Sequence, residues 1–323
     1  MDDAAAYVSN PHERAPKRYR IAAIPGDGIG VEVVPVARTV LEVTAAHAGF
    51  ACEWTEFDWG CERFLREGSM MPPDAIETLT AFDAIFLGAV GDKRVPDHVS
   101  LWGLLIPIRR GLRQSVNLRP IRLLEGVPSP LAGVKAGDID FLCIRENNEG
   151  EYSEIGGRLY AGREEELAIQ EAVFTRHGVE RVMRYAFARA RERRGRLASI
   201  TKSNGIVHTM PFWDQVCLEI AAEYPDVRVQ AYHADAAAAR FVLQPQEFDV
   251  VVASNLFGDM LTDLGAAIVG SIGIEIVFRE CRHYLQVSQR RRCAKSRLPA
   301  IFAARLHRCP VRRPIGGPRI VTR

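Results

Sequence analysis

The sequence predicts an α/β fold. Three observations carry that prediction: short apolar or alternating runs recur along the chain, stretches of helical period separate them, and glycine or proline punctuates the junctions. YRIAAIPGDGIG leads an apolar strand into a glycine turn, and VEVVPVARTVLEVTAAHAG continues at helical spacing to a stop at Gly49. FACEWTEF alternates as a half-buried strand does. PPDAIETL opens with prolines that a first helical turn tolerates, and FDAIFLGAVG is a strand closed by glycine. DIDFLCIREN then reads as a strand, VERVMRYAFARARERRG as a basic amphipathic helix, LASITKSNG as strand and turn, and MPFWDQVCLEIAAEYP as a helix. VRVQAYHA, FDVVVASN and LFGDMLTDLGAAI complete the alternation as strand, strand and helix. No repeat period suggests a solenoid.

Composition agrees with a globular chain. At 323 residues, 47% hydrophobic and 25% charged, it is neither disordered nor collagen-like, and its length suits one large domain or two ordinary ones. No apolar run approaches the ~20 residues of a membrane span. The opening MDDAAAYVSNPHERAPKR lacks the apolar centre of a signal peptide, so residues 1–18 are expected to form a flexible arm and the protein to be cytoplasmic. The seven cysteines form no CxxC pair and are odd in number, which favours reduced packing thiols over disulfides or zinc.

Charge divides the chain near Ile274. Residues 275–323 hold 13 of the 42 Lys and Arg but only Glu275 and Glu280 of the 40 acidic residues, a formal +11 against −9 for the remainder. Beyond Ile274 the strand and helix alternation also stops, although LPAIFAARL is compatible with one short helix. An arginine-rich segment neutralises phosphates, so nucleic-acid contact is a minor expectation; the absence of interleaved aromatics argues against it.

Several residue groups have chemical potential. IPGDGIG places backbone N–H groups where they can approach a phosphate, but it is not the dinucleotide fingerprint, because Val31 stands where a third glycine or alanine is required. A tight turn serving only the fold explains it equally well. Asp259 and Asp263 lie one helical turn apart in LFGDMLTDLG, with no Lys or Arg close in sequence; their repulsion would be relieved by Mg²⁺ or Mn²⁺. Two solvated surface carboxylates would look the same. Arg109, Arg110, Arg113 and Arg119 cluster in LIPIRRGLRQSVNLRP, and Arg145 closes a strand in CIRENNEGEY. Guanidinium groups grip carboxylates with paired hydrogen bonds, and the apolar strands beside Arg119 and Arg145 favour a cleft over an open face. Lys202 and Tyr152 become proton carriers if their surroundings shift them toward neutrality. His233, without HxH or HxxxH spacing, reads as structural.

Together IPGDGIG, SLWGLLIPIRR, NLRPIRL, IRENNEGEYS, TKSNG, FVLQP and VVASNLFGDMLTDLG resemble, in order and spacing from Tyr19 to Ile274, the metal-dependent β-decarboxylating dehydrogenases that include isocitrate and isopropylmalate dehydrogenases. Within that family the tartrate and D-malate branch is the nearest likeness. The resemblance implies an isopropylmalate-dehydrogenase-like fold, two α/β domains with the cleft between them and no GxGxxG Rossmann unit. Residues 19–115 with 270–323 would form the cofactor-side domain and 116–269 the substrate, metal and dimer domain. It further implies that Arg109, Arg119 and Arg145 bind substrate carboxylates, that Asp235, Asp259 and Asp263 hold Mg²⁺ or Mn²⁺, and that Tyr152 and Lys202 are the acid/base pair. Asn204 and Asn255 would line the site. Lys202 and Asp235 would come from the neighbouring subunit of a homodimer. The implied reaction is NAD-dependent oxidative decarboxylation of D-malate, or oxidation or decarboxylation of tartrate, with K⁺ a further cation the resemblance allows. The family's adenosine-surrounding segment is not recognisable after Ile274, which leaves the NAD-binding residues unassigned and makes a catalytically impaired homologue the alternative.

Overall fold

The computed structural model describes residues 17–270 and, as backbone, 278–279. The readings made for residues 1–16, and for the basic segment from 275 apart from that backbone pair, lie outside the described residues. Lys17 and Arg18 belong to a strand rather than to an arm, because they pair with Phe50 and Ala51.

A three-stranded parallel sheet organises the first part of the chain. β1 (Lys17–Ile24) lies between β2 (Phe50–Glu56) and β3 (Ala84–Leu87), in register at Tyr19↔Cys52 and Ile21↔Ala84. Its core gathers Ile24, Trp59, Leu79, Leu104 and Ile108. The connecting helix α1 (Ile29–Ala48) ends at Gly49, whose left-handed φ of 76° lets its N–H reach back to the last turn. This helix buries Gly30, Val34 and Ala45, while Ile29, Val33, Val36, Val40 and Val43 are each more than half exposed among the described residues. Short helices α2 (Cys61–Glu67), α3 (Ala75–Thr80) and α4 (Asp97–Ser100) follow, then a π-helical stretch, Leu101–Leu105, that runs into α5 (Ile106–Gly111). Gly111 has a packing role, since an added Cβ would lie 2.7 Å from Ile76.

The larger sheet contains β4 (Val116–Arg122), β5 (Asp140–Glu146), β8 (Arg196–Thr201), β9 (Arg228–His233) and β10 (Val250–Ala253), in the order β4-β5-β10-β8-β9. Backbone of Phe278–Arg279 pairs antiparallel to β4. β5, β10, β8 and β9 run parallel, and β4 is antiparallel to β5. The central strands β5, β8 and β10 are buried along most of their length because both faces are covered, whereas β4 and the edge strand β9 carry polar and charged residues. Helices α6 (Arg176–Glu192) and α7 (Thr209–Ala221) bury Phe187 and Trp213 on one face. On the other face α8 (Ala234–Leu243) contributes Ala237 and Phe241, and α9 (Asn255–Ile268) contributes Leu261 and Ile268. An exposed hairpin, β6 (Gly156–Leu159) with β7 (Leu167–Gln170), projects between β5 and α6.

This topology collects chemistry at one edge. Arg145, Lys202 and Asn255 all stand at or just past the carboxyl ends of parallel strands, the position at which open α/β sheets present ligand sites.

Candidate active site

Arg145, on β5, is buried with only 3% exposure. Its Nε and one Nη donate to Asn255 Oδ1 at 3.0 and 2.7 Å, and its other Nη pairs with Asp259. Close approach of α9 makes this possible: a Cβ on Gly258 would lie 2.6 and 2.7 Å from Arg145 Cγ and Cβ. Burial pulls the Arg145 guanidinium below its usual range, and Asp259 opposes that shift. Arg119, from the adjacent strand β4, approaches Asp259 at 3.7 Å and Asp263 at 3.8 Å and bonds to the Thr262 hydroxyl. Tyr152 Oη donates to Asp259 Oδ2 at 2.9 Å, and its ring lies 5.6 Å from the Arg145 guanidinium. Burial, then the Asp259 charge, raises the phenol above its ordinary value.

The two carboxylates therefore are not without basic partners, as their neighbours in sequence suggested. Arg119 and Arg145 reach them from two strands that lie more than 110 positions earlier in the chain.

The loop after β5 fixes this arrangement. Glu146 is almost fully buried and accepts from the backbone N–H groups of Asn148 and Glu149 at 2.9 and 2.8 Å; burial pushes its carboxyl up to about 7. Glu151 accepts from Ser254 Oγ at 2.8 Å and from Leu256 N at 3.0 Å, which caps α9 from outside its own sequence. Asn255 Nδ2 donates to the Glu149 carbonyl at 3.1 Å. Neither Glu146 nor Glu151 was expected. The available signal for Glu151 was an α9 start with no acidic residue in its first turn.

Lys202 and Asp235 form a second group. Lys202 Nζ bonds to Asp235 Oδ1 at 2.8 Å and holds that carboxyl below its usual range. Asn204 lies in the turn that follows, where Gly205 N and Ile206 N both donate to the Lys202 carbonyl at 2.9 Å. Neither Lys202 nor Asp235 hydrogen-bonds to the Arg145, Tyr152 and Asp259 group. Among the described residues no three His, Cys, Asp or Glu side chains form a metal-holding cluster, so one chain does not gather Asp235, Asp259 and Asp263. Arg109 is buried in α5, while the neighbouring Arg110 donates to the Tyr152 carbonyl at 3.1 Å and lies over the Trp102 ring at 5.1 Å. His233 precedes α8, and its buried Nδ1 lacks a hydrogen-bond partner among the described residues.

The glycine turn serves the fold. Added Cβ atoms on Gly26 and Gly30 would lie 2.1 and 2.2 Å from the carbonyls of Ala89 and Pro25, so these two glycines permit close backbone packing, while the corresponding position at Gly28 is open. Asp27, also buried, ties the turn down by accepting from Cys61 N and Gly91 N at 2.7 and 3.0 Å.

Residues 20–276 match the sequence profile of the isocitrate/isopropylmalate dehydrogenase family. The chain belongs to that family. It is 55% identical over 260 residues to a probable tartrate dehydrogenase/decarboxylase of Bacillus subtilis, covering 80% of this chain and 73% of that one. Over 261 residues it is 56% identical to the D-malate dehydrogenase (decarboxylating) of Escherichia coli, covering 80% and 72%. The crystal structure of isocitrate dehydrogenase from Methylococcus capsulatus matches with a TM-score of 0.72 at 32% identity, over 80% of this chain and 73% of that one. The dehydrogenase fold expected from the motifs is thus present. No helix among the described residues is long and apolar enough to cross a membrane.

The donor set fits a hard divalent cation. Asp259 and Asp263 share one face of α9, and the carboxylates of Asp263 and Asp235 are mostly exposed and able to turn toward an ion.

Proposed function

We propose that this chain is a NAD-dependent, Mg²⁺- or Mn²⁺-assisted dehydrogenase that oxidises and decarboxylates D-malate, and oxidises or decarboxylates tartrate. The observation that carries the reading is the convergence of Arg119, Arg145 and Tyr152 on Asp259, at the carboxyl end of β5. The names of the relatives supply the substrate class.

In this reading Arg119 and Arg145, with Arg109, bind the substrate carboxylates, and Asn204 and Asn255 line the site. Asp259 and Asp263 of one copy, with Asp235 of a second copy, would hold the divalent ion. When bound, the ion would supply Lewis-acid polarisation of the substrate oxygens and NAD would supply the hydride acceptor. Lys202 of the second copy takes the 2-hydroxyl proton as the hydride leaves C2. Tyr152 Oη, already oriented by Asp259, protonates the carbon from which CO₂ has departed. Separation of Lys202 and Asp235 from Tyr152 within one chain supports a homodimer with shared sites. The same reading takes residues 19–115 with 270–323 as the cofactor-side domain, 116–269 as the substrate and dimer domain, and the cytoplasm as the location. K⁺ is a further activator to be tested.

Purified protein supplied with NAD, Mn²⁺ and either D-malate or tartrate tests the proposal. Reduction of NAD that is abolished by a chelator and restored by Mn²⁺ is expected. Calorimetric binding of metal and hydroxy acid without any NAD reduction would overturn it.

A further inference from the structure

A cleft of about 310 Å³ lies on the α8 side of the large sheet, at the end of the strands opposite the catalytic groups. Parallel pairing places Arg196 opposite Arg228, Ala198 opposite Gln230, and Ile200 opposite Tyr232, so the alternate residues of β8 and β9 share one face. Arg196, Arg228, Gln230 and Tyr232 line the cleft from the sheet, and Arg240 closes it from α8. Its size falls at the lower end of the range of small-molecule pockets.

The charges in this cleft do not balance. Arg240 is satisfied, because it bonds to Glu247 at 2.6 Å and to Gln244 at 3.0 Å and lies 5.6 Å from the Tyr232 ring. Asp249 is buried at the floor and already accepts from Arg193 Nε at 2.9 Å, from Arg194 N and Nε at 2.9 and 3.2 Å, and from Arg196 N at 3.3 Å. No carboxylate among the described residues pairs with the guanidinium of Arg196 or of Arg228. Arg196 and Arg228 are partners in the parallel β8–β9 register, and an anion held between two guanidinium groups is favoured by both charges.

We propose that this cleft binds a small dianion, either a phosphoryl group or a dicarboxylate, at a site distinct from the catalytic centre. The two guanidinium groups without a carboxylate partner match a double negative charge, and Gln230 and Tyr232 also line the cleft. The site is joined to the catalytic pair by the strands themselves: β8 runs from Arg196 to the residue before Lys202, and β9 runs from Arg228 to His233, two residues before Asp235. That span is roughly 20 Å of extended chain. The strands that border the cleft thus lead directly to Lys202 and, through the start of α8, to Asp235.

Calorimetric titration of the full chain with inorganic phosphate, and separately with succinate, tests the site and identifies its source chemistry. Saturable binding that weakens about tenfold or more in Arg196→Gln and in Arg228→Gln is expected, since each substitution removes a charged hydrogen-bond donor. Binding should persist in Arg119→Gln, which alters the catalytic cleft instead. Arg228→Lys keeps the charge, loses the fork, and should weaken binding less than Arg228→Gln. Tighter phosphate identifies a phosphoryl ligand, and tighter succinate a dicarboxylate. Absence of saturable binding by either anion, or affinities unchanged by both glutamine substitutions, would overturn the proposal.

Discussion

Tyr152 Oη donates to Asp259 Oδ2 at 2.9 Å, so the phenol proposed to carry a proton and a carboxylate proposed to hold a cation are joined by one hydrogen bond. The bond aligns the phenol and, with burial, keeps it protonated. Tyr152→Phe should therefore lower kcat by about 100-fold or more, the scale of a lost general acid, while costing only about 1 kcal/mol of stability. Steady-state kinetics with a urea unfolding curve measure both. A large loss of stability with unchanged kcat would assign the phenol a structural role only.

Arg145 ties α9 to β5 and, in the proposed function, also binds substrate. Arg145→Met removes the donor to Asn255 Oδ1 and one of three partners of Asp259, and should destabilise the protein by about 1.5–3 kcal/mol. Arg145→Lys restores the charge but not the fork, so it should recover part of the stability and little of the substrate affinity. Chemical denaturation and substrate titration separate the two effects.

Gly258→Ala is the smallest change that tests the approach of α9 to β5. The added methyl group would meet Arg145 side-chain carbons at 2.6 and 2.7 Å, which forces the helix outward at a cost of about 1–3 kcal/mol. Metal affinity should fall with it, since Asp259 and Asp263 move with α9. Unchanged Mn²⁺ binding in this variant would contradict the packing argument.

Glu146 makes stability depend on pH. Its folded-state carboxyl titrates near 7, above the 4.5 of an unperturbed glutamate, because burial disfavours the charge. Between those two values the folded state binds more protons than the unfolded state, so the Glu146 contribution is complete below about pH 4.5 and is lost as pH rises through 7. Glu146→Gln should remove that decline. Urea midpoints across this range provide the comparison, and an identical slope in both proteins would exclude Glu146 as its source.

A site assembled from two copies predicts complementation. Tyr152→Phe and Lys202→Ala, each strongly impaired alone, should regain activity when unfolded together and refolded as a mixture, because a hybrid dimer contains one intact site. Activity no greater than the sum of the separate samples would argue for a site within one chain.

The sequence carried most of the scaffold but only part of the site. Strands such as β5 and β10 were legible because a strand covered on both faces is a short apolar run between breakers, and α6 and α9 because their apolar residues recur with helical period. α2, the exposed hairpin and the π-helical stretch were not foreseen, since each is too short to establish a period. The pairing of Asp259 with Arg119 and Arg145 was invisible for a different reason: the partners are neighbours only after β4 and β5 have paired and α9 has packed across them. Glu151 shows the same limit. Its carboxylate reads as a solvated loop charge until α9 begins against it. The glycine turn reads in sequence as ligand cradle or fold element alike, and the contacts of Gly26 and Gly30 with chain carbonyls give those two glycines a packing role.

Ile29, Val33, Val36, Val40 and Val43 run along α1 at alternating intervals of four and three residues. Their side chains gain free energy whenever another surface covers them, at about 25 cal/mol for each Å² removed from water. Any such association is thermodynamically linked to folding and raises the apparent melting temperature with protein concentration. A dilution series is consequently part of any meaningful melting experiment on this chain, and a single-concentration Tm would combine the strength of the fold with the occupancy of that helix.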